Sequence, residues 1–234
     1  LARVSAVANN LLDNYGVEPG DRVAILADHH PQWLITIRAT ISIGGICAGL
    51  NGWGKRDEIL HALENAETKL LVGDRKRLAR IEGEPLSFPV ICIEDSYAEL
   101  ERGWDSSEAP ALPDCDIAED DPALILYTSG TTGRAKGALL SHRCLITFLA
   151  SAVFSGFRMM IMEAEAGKTL DGSSLPNCGL FSAPLFHLSG TVVLALVLVG
   201  RNPIALIPNG KDLDDLVVTI QKVRPAFLVG VPAL

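Results

Sequence analysis

Residues 22–27, RVAILA, are a short apolar run that predicts a buried β-strand. A helical pattern starts at Pro31 and continues to about Ile43, and a second apolar run, ICAGL, occupies residues 46–50. The alternation continues with an amphipathic helix and two more apolar runs, at residues 55–66, 69–72 and 89–93. Strands that alternate with helices pair in parallel through helical crossovers. The sequence therefore predicts an α/β fold built on parallel-sheet subdomains.

Segments on both sides of this core extend the pattern. Apolar residues at positions 1–15 share one helical face, and Gly16 follows in the position typical of a helix end. Four further strands are predicted at residues 123–127, 178–183, 203–207 and 226–230. Three further helices are predicted at residues 142–162, 190–199 and 211–223.

An acidic segment at residues 103–121 interrupts the alternation. It has seven acids, no bases, and prolines at Pro110 and Pro113, which is typical of an exposed linker. Its acids lack the spacing of a calcium loop, so a cation site is disfavoured. We expect a first α/β subdomain at 1–102, the linker at 103–121, and a second α/β segment at 122–234.

Composition excludes several classes of protein. The 234 residues are 48% hydrophobic and 21% charged, which excludes intrinsic disorder, and the net charge is −8. A nucleic-acid binder carries a basic patch, whereas the densest basic run here is Arg75–Arg77 with Arg80. We interpret that run as a solvated helix or loop face and expect no nucleic-acid partner.

The cysteines are five in number and widely spaced, with no C-x-x-C pair. This spacing excludes a zinc site of the usual type and a disulfide framework, and it fits a reducing compartment. We therefore expect a cytoplasmic protein, with buried inert thiols favoured over a reactive one.

Apolar stretches at 33–50 and 145–162 each contain an arginine, and the run at 191–199 has nine residues. A membrane span needs about 20 apolar residues. We interpret all three stretches as core elements and expect no membrane span.

The segment with the clearest chemistry is YTSGTTGRAKG at residues 127–137, which follows a predicted strand. Its glycines allow close approach of a ligand, and exposed backbone N–H groups in such a loop attract anions. Hydroxyls and Lys136 add donors and positive charge, so the loop suits a polyphosphate. A merely flexible turn is the alternative, and it explains this combination poorly.

The loop differs from the Walker A motif, G-x-x-x-x-G-K-S/T. Ala135 precedes Lys136 where that motif has glycine, and Gly137 follows where it has the magnesium-binding hydroxyl. An ordinary P-loop NTPase is therefore disfavoured.

Residues 127–137 resemble the phosphate-binding signature T-S-G-S/T-T-G-x-P-K-G of the adenylate-forming enzymes, which include the acyl-CoA synthetases; Ala135 replaces the usual proline. Other stretches resemble signatures of the same family in the same order: residues 16–25, 43–51, 63–72, 184–190 (PLFHLSG) and 231–232. The resemblance spans nearly the whole chain. It implies the N-terminal lobe of an acyl-CoA synthetase-like fold.

The resemblance also implies an activity. Members of the family join a carboxylic acid to ATP as an acyl-adenylate, and a thiol, usually of coenzyme A, then displaces AMP; the implied cofactors are ATP, Mg²⁺ and coenzyme A. The residues expected to wrap the ATP phosphates are Thr128, Ser129, Gly130, Thr131, Thr132, Gly133 and Lys136. Lys136 and His187 are the expected catalytic residues.

His187 corresponds to a family residue beside the reacting carboxylate. We expect it to position the acyl-adenylate or gate the path of the thiol rather than act as a general base. A satisfied core histidine is the alternative. Amino-acid-activating members usually have aspartate here, so His187 favours a fatty or aryl acid.

Several family motifs are absent from the sequence, including those for adenine, ribose and Mg²⁺ and the C-terminal lysine. We therefore expect an incomplete N-terminal lobe with little or no ligase activity by itself. The resemblance leaves open a carrier protein as thiol acceptor and assembly into an oligomer. Two alternatives to the ligase also stay open, a nucleotide-binding module without catalysis and an inactive structural fragment.

Overall fold

The computed structural model describes residues 1–105, 110–128, 134–167, 178–191, 203–207, 213–225 and 227–230. The chain divides into two compact units, Leu1–His142 and Arg143–Leu234.

The first unit is built on one six-stranded sheet. Its strands are β1 (Arg22–Leu26), β2 (Ile46–Gly49), β3 (Thr68–Gly73), β4 (Val90–Cys92), β5 (Pro122–Thr128) and β6 (Lys136–Ser141). Their order in the sheet is β4-β3-β1-β2-β5-β6. Every neighbouring pair is parallel except β5 and β6, which are antiparallel. The predicted α/β fold with a parallel sheet is confirmed, while β6 is a strand that the sequence pattern did not predict.

Helix α1 (Ala2–Asp13) precedes the first strand of this sheet. The helices between its strands are α2 (Pro31–Ser42), α3 (Arg56–Asn65), α4 (Arg75–Leu78) and α5 (Tyr97–Leu100), with a 3-10 turn at Ala79–Ile81. Beyond α1, Gly16 adopts a φ of 57°, a left-handed conformation that glycine accepts without strain. The single-turn helices α4 and α5 were not predicted, because one turn is too short to show helical periodicity.

The core lies on both faces of the central strands. Val23, Ala24 and Ile25 of β1 are fully buried, as expected for a strand covered on both sides. On one face, Ile59 and Leu63 of α3 pack in the cluster that contains Ala24. The amphipathic helix predicted at 55–66 is thus confirmed, with Ile59 and Leu63 on its buried face.

The acidic segment leads from α5 to β5. Residue Leu124 of β5 lies opposite Cys47 of β2, so the acidic segment joins elements of one sheet. The observed division at His142 and Arg143 differs from the predicted boundary at 103–121. Composition marks an irregular segment, but it does not encode which strands pair across it.

Arg77 corrects the interpretation of the basic run. Its residue exposure is 6%, and its guanidinium donates to the carboxylates of Asp74 at 2.7 Å and Asp28 at 2.8 Å. It also donates from Nε to the carbonyl oxygen of Gly52 at 3.0 Å. The solvated-face interpretation is wrong for Arg77, because two carboxylates near the ends of β1 and β3 pair its charge inside the protein.

The second unit contains a smaller sheet. The elements are α6 (His142–Glu165), which begins at the last residue of the first unit, β7 (Gly179–Phe181), β8 (Ile204–Leu206), α7 (Leu213–Val223) and β9 (Phe227–Val229). The strands are parallel in the order β8-β7-β9. The helix predicted at 190–199 begins earlier, at residue 188. Residues 188–191 are helical, and residues 192–199 lie outside the described residues.

Helix α6 is more exposed than its sequence predicts. Only Leu145 among its side chains is buried, and large apolar residues such as Phe154 and Phe157 are 68% and 60% exposed. The interpretation of 145–162 as a core element is therefore wrong within the described structure. By length and composition alone α6 could cross a membrane, and a helix of a protein core passes the same test.

Candidate functional site

The hydroxyl- and glycine-rich loop connects two antiparallel strands. Thr128, the last residue of β5, lies opposite Lys136, the first residue of β6, and Tyr127 lies opposite Gly137. The Thr128 hydroxyl donates to the carbonyl oxygen of Lys136 at 3.4 Å. The two ends of the loop are thus held side by side. The predicted phosphate-binding residues Ser129, Gly130, Thr131, Thr132 and Gly133 lie outside the described residues.

The side chains of Thr128 and Lys136 are both exposed. A ligand at the loop could therefore reach the Thr128 hydroxyl and the Lys136 ammonium group together. Lys136, which was expected in a loop, is the first residue of strand β6. A Walker A loop leads from a strand into a helix, so this hairpin also differs from that motif in its connection.

The base of the hairpin is fixed to helix α3. The Tyr127 hydroxyl lies 2.8 Å from the carbonyl oxygen of Ala62 and 3.2 Å from Oδ1 of Asn65. Tyr127 is 7% exposed, and burial raises the pKa of its hydroxyl. These contacts were not predicted from the sequence. An aromatic residue with a polar end directly before the loop was the available signal.

A cavity of about 640 Å³ lies beside the hairpin within the first unit. Tyr127, Arg134 and Ala135 line it on the side of the hairpin, and residues of α3 line it on another side. The side chains of α3 that line it include His61 and the exposed carboxylates of Asp57, Glu58 and Glu64. The cavity is a second feature that the sequence did not predict, because it forms only where distant elements meet.

His187 lies in a tight turn of the second unit. Its backbone N–H donates to the carbonyl oxygen of Pro184 at 3.2 Å, and the Gly190 N–H donates to the carbonyl oxygen of His187 at 2.7 Å. The Ser189 hydroxyl also donates to the carbonyl oxygen of Pro184, at 2.8 Å. The hydroxyl of Ser189 thus helps to hold the PLFHLSG segment in a turn.

The His187 side chain is exposed, and its ring centroid lies 4.7 Å from that of Phe186 at a tilt of 41°. The alternative of a satisfied core histidine is therefore wrong. Gly190 has no room for a side chain, because a Cβ there would overlap the backbone of Leu185. The turn thus presents an exposed imidazole that packs against the buried ring of Phe186.

Side chains that could ligate a metal do not cluster in the described part of the chain. There, no group of three or more histidines, cysteines, aspartates or glutamates could hold a metal ion. The described acids of the 103–121 segment belong to no such group.

Comparisons with known proteins identify the family of the chain. The AMP-binding enzyme family matches residues 1–234. Feruloyl-CoA synthase of an Amycolatopsis species is 28% identical over 99% of the chain and 42% of that relative. The 3-hydroxybenzoate–CoA/4-hydroxybenzoate–CoA ligase of Thauera aromatica is 30% identical over 96% of the chain and 42% of that relative. The chain thus spans about two fifths of the length of these curated relatives.

Solved structures share the fold. The N-terminal domain of FACL13 from Mycobacterium tuberculosis matches 99% of the chain and 55% of its own length, with a TM-score of 0.77 and 22% identity. O-succinylbenzoate coenzyme A synthetase of Bacillus subtilis, in complex with AMP, matches 99% of the chain and 54% of its own, with a TM-score of 0.70 and 21% identity. The chain has the mixed α/β fold of the N-terminal domain of these enzymes. On the match of all 234 residues, it belongs to the AMP-binding enzyme family, the adenylate-forming CoA ligases.

Proposed function

We propose that the protein, in its complete form, activates a carboxylic acid with ATP and transfers the acyl group to the thiol of coenzyme A. A carboxylate oxygen attacks the α-phosphorus of ATP, pyrophosphate leaves, and an acyl-adenylate forms. The coenzyme A sulfur then attacks the acyl carbon, and AMP leaves. The observation that carries the proposal is the closed hairpin, in which exposed Lys136 lies opposite exposed Thr128.

The charge of the reaction explains why this hairpin suits it. ATP brings a polyphosphate, and attack by a carboxylate adds negative charge at the α-phosphorus. Fixed donors and cations that face developing charge stabilise such a transition state. The Lys136 ammonium group and the Thr128 hydroxyl are donors of this type. We assign the same role to Ser129, Gly130, Thr131, Thr132 and Gly133, on the resemblance alone.

The proposed substrate is an aryl acid, with a fatty acid as the second candidate. His187 supplies no carboxylate for a substrate ammonium group, which disfavours an amino acid. Its exposed ring beside Phe186 offers an aromatic surface to an acyl group. Feruloyl-CoA synthase and the hydroxybenzoate–CoA ligase, by their names, act on aryl acids and coenzyme A. Coenzyme A is therefore favoured over a carrier protein as thiol acceptor.

Mg²⁺ would accompany ATP in this reaction, but the described residues offer no ligand cluster for it. We therefore assign no residue of this chain to Mg²⁺. The cytoplasm is the proposed location, and five free cysteines support it.

The test is carboxylate-dependent ATP–pyrophosphate exchange by the complete gene product, with separate pools of aryl, fatty and amino acids. Exchange with the aryl or fatty pool supports the proposal, and thioester formation on adding coenzyme A completes it. Exchange with amino acids alone contradicts the assignment of His187. ATP binding without exchange in any pool contradicts the ligase and favours a nucleotide-binding module instead.

A further inference from the structure

Tyr127 connects the hairpin to helix α3 at the position directly before the loop. Its hydroxyl reaches the carbonyl oxygen of Ala62 at 2.8 Å and Oδ1 of Asn65 at 3.2 Å. Both acceptors lie in the last turn of α3. The end of β5 is thereby fixed to a helix by a buried side chain, in addition to its backbone pairing with β2.

Gly137 is the residue of β6, the second strand of the hairpin, that lies next to Tyr127. It lies opposite Tyr127. A Cβ on Gly137 would come within 2.8 Å of Cγ2 of Ile125, 3.5 Å of Cε1 of Tyr127 and 3.6 Å of Oδ1 of Asn65. A side chain at Gly137 would thus overlap Ile125 and touch the Tyr127 ring and the amide of Asn65, so the backbone next to Lys136 passes close to all three.

Strand β6 is supported mainly by its antiparallel pairing with β5. It is the last strand of its sheet, and its residues from Lys136 to Leu139 are exposed. An edge strand with exposed side chains gains little from burial. The backbone of Lys136 therefore depends on the position of β5, and Tyr127 fixes the end of β5 to α3.

We propose that Tyr127 is a positioning residue for Lys136: its hydroxyl, bound to the last turn of α3, sets where the Lys136 ammonium group meets the polyphosphate. This inference rests on the proposed function for its kinetic consequence. Loss of one hydrogen bond should change the alignment of Lys136 without removing its charge.

The test compares Tyr127→Phe with Tyr97→Phe in the complete gene product. Tyr97 is also buried, and its hydroxyl forms a 2.8 Å hydrogen bond with Thr36 Oγ1, so Tyr97→Phe loses a similar bond away from the hairpin. We expect Tyr127→Phe to lower kcat/KM for ATP about three- to tenfold, with KM for the acid unchanged. Tyr97→Phe should change neither value at a temperature where both variants are folded.

A double-mutant cycle with Lys136→Ala tests whether Tyr127 affects ATP binding and rate through Lys136. If Tyr127 acts through Lys136, Tyr127→Phe should cause little further loss of ATP binding or rate when Lys136 is already alanine. A full additional loss in that background overturns the inference. So does an unchanged kcat/KM for ATP in Tyr127→Phe alone.

Hydrogen–deuterium exchange separates this inference from the proposed function. Tyr127→Phe should speed exchange of the backbone amides of 136–141, and Tyr97→Phe should not. If the wild-type protein neither binds ATP nor exchanges pyrophosphate, the proposed function fails and this measurement alone decides the positioning role. Unchanged protection of those amides in Tyr127→Phe overturns it.

Discussion

Lys136 lies directly opposite Thr128 across the antiparallel pair β5–β6, and the Thr128 hydroxyl donates to the Lys136 carbonyl oxygen at 3.4 Å. The first and last residues that flank the loop are therefore neighbours. A loop whose ends are already fixed loses less conformational entropy when it closes around a ligand. The hairpin thus provides a preorganised base for the glycine-rich segment between these residues.

Lys136→Ala should weaken ATP binding or adenylation about tenfold to a hundredfold, because a hydrogen bond to a charged group contributes about 1.5–3 kcal/mol. ATP titration by calorimetry and pyrophosphate exchange on the complete gene product measure the two effects. Lys76→Ala is the matched control, since Lys76 is an exposed lysine in the same unit. Equal values for the wild type and Lys136→Ala would remove the assignment of Lys136.

Arg77→Met should destabilise the first unit by about 3–5 kcal/mol, because the change leaves the carboxylates of Asp28 and Asp74 without their buried partner. Urea unfolding followed by tryptophan fluorescence, to which the buried Trp33 contributes, measures the loss. Lys76→Met changes an exposed neighbour and should shift stability by less than about 0.5 kcal/mol. Similar losses in the two variants would contradict the burial of Arg77.

Asp28 should make stability depend on pH in the acid range. Burial alone would raise the pKa of Asp28, but the Arg77 guanidinium and His29 together hold it below its usual value. A carboxyl whose folded pKa is depressed contributes stability above its unfolded pKa of about 3.9, and this contribution disappears as the pH falls through the folded pKa.

The free energy of unfolding of the wild type should therefore exceed that of Asp28→Asn at pH 7, and the difference should shrink below about pH 4. Urea unfolding of both proteins from pH 7 to pH 3 measures it. A difference that stays constant over this range would show that Asp28 carries no depressed pKa.

Gly190→Ala should disrupt the turn that carries His187, since a Cβ at this position would overlap the backbone of Leu185. The expected cost is about 1–3 kcal/mol, the range for forced overpacking. Gly156→Ala is the control, because a Cβ on Gly156 of α6 meets open space and alanine favours a helix by up to about 1 kcal/mol. Hydrogen–deuterium exchange at residues 178–191 should rise in the first variant only; equal exchange in both would contradict the geometry of the turn.

The local elements of this fold could largely be predicted from sequence. Strands β1 and β2 are short apolar runs, and α2 begins at a proline in its first turn. These features are local, so periodicity and turn residues suffice to find them. The loop at 127–137 could also be found, because its glycines, hydroxyls and lysine lie together in sequence.

Features that depend on long-range pairing could not be predicted. Strand β6 has exposed residues and no alternating pattern, and it becomes a strand by pairing with β5. The burial of Arg77 requires Asp28, which lies 49 positions away. The contact of Tyr127 with Ala62 likewise spans 65 positions. In each case the decisive partner is distant in sequence and adjacent only in the folded chain.

Helix α6 shows the opposite case, in which burial predicted from the sequence is absent from the described structure. Its apolar composition predicts burial, yet Phe154 and Phe157 are exposed. Apolar side chains become buried only where a neighbouring element offers a matching surface. Composition gives the tendency to be covered but does not identify the covering element.

The most direct test of the central claim is carboxylate-dependent ATP–pyrophosphate exchange, measured side by side on the 234-residue chain, the complete gene product and its Lys136→Ala variant. The proposed function predicts exchange with aryl or fatty acids by the complete gene product, a roughly tenfold to hundredfold loss in Lys136→Ala, and little or none by the 234-residue chain. An equal rate in the wild type and Lys136→Ala would contradict the role of the hairpin. Absence of exchange with every acid in the complete gene product would contradict the ligase function itself.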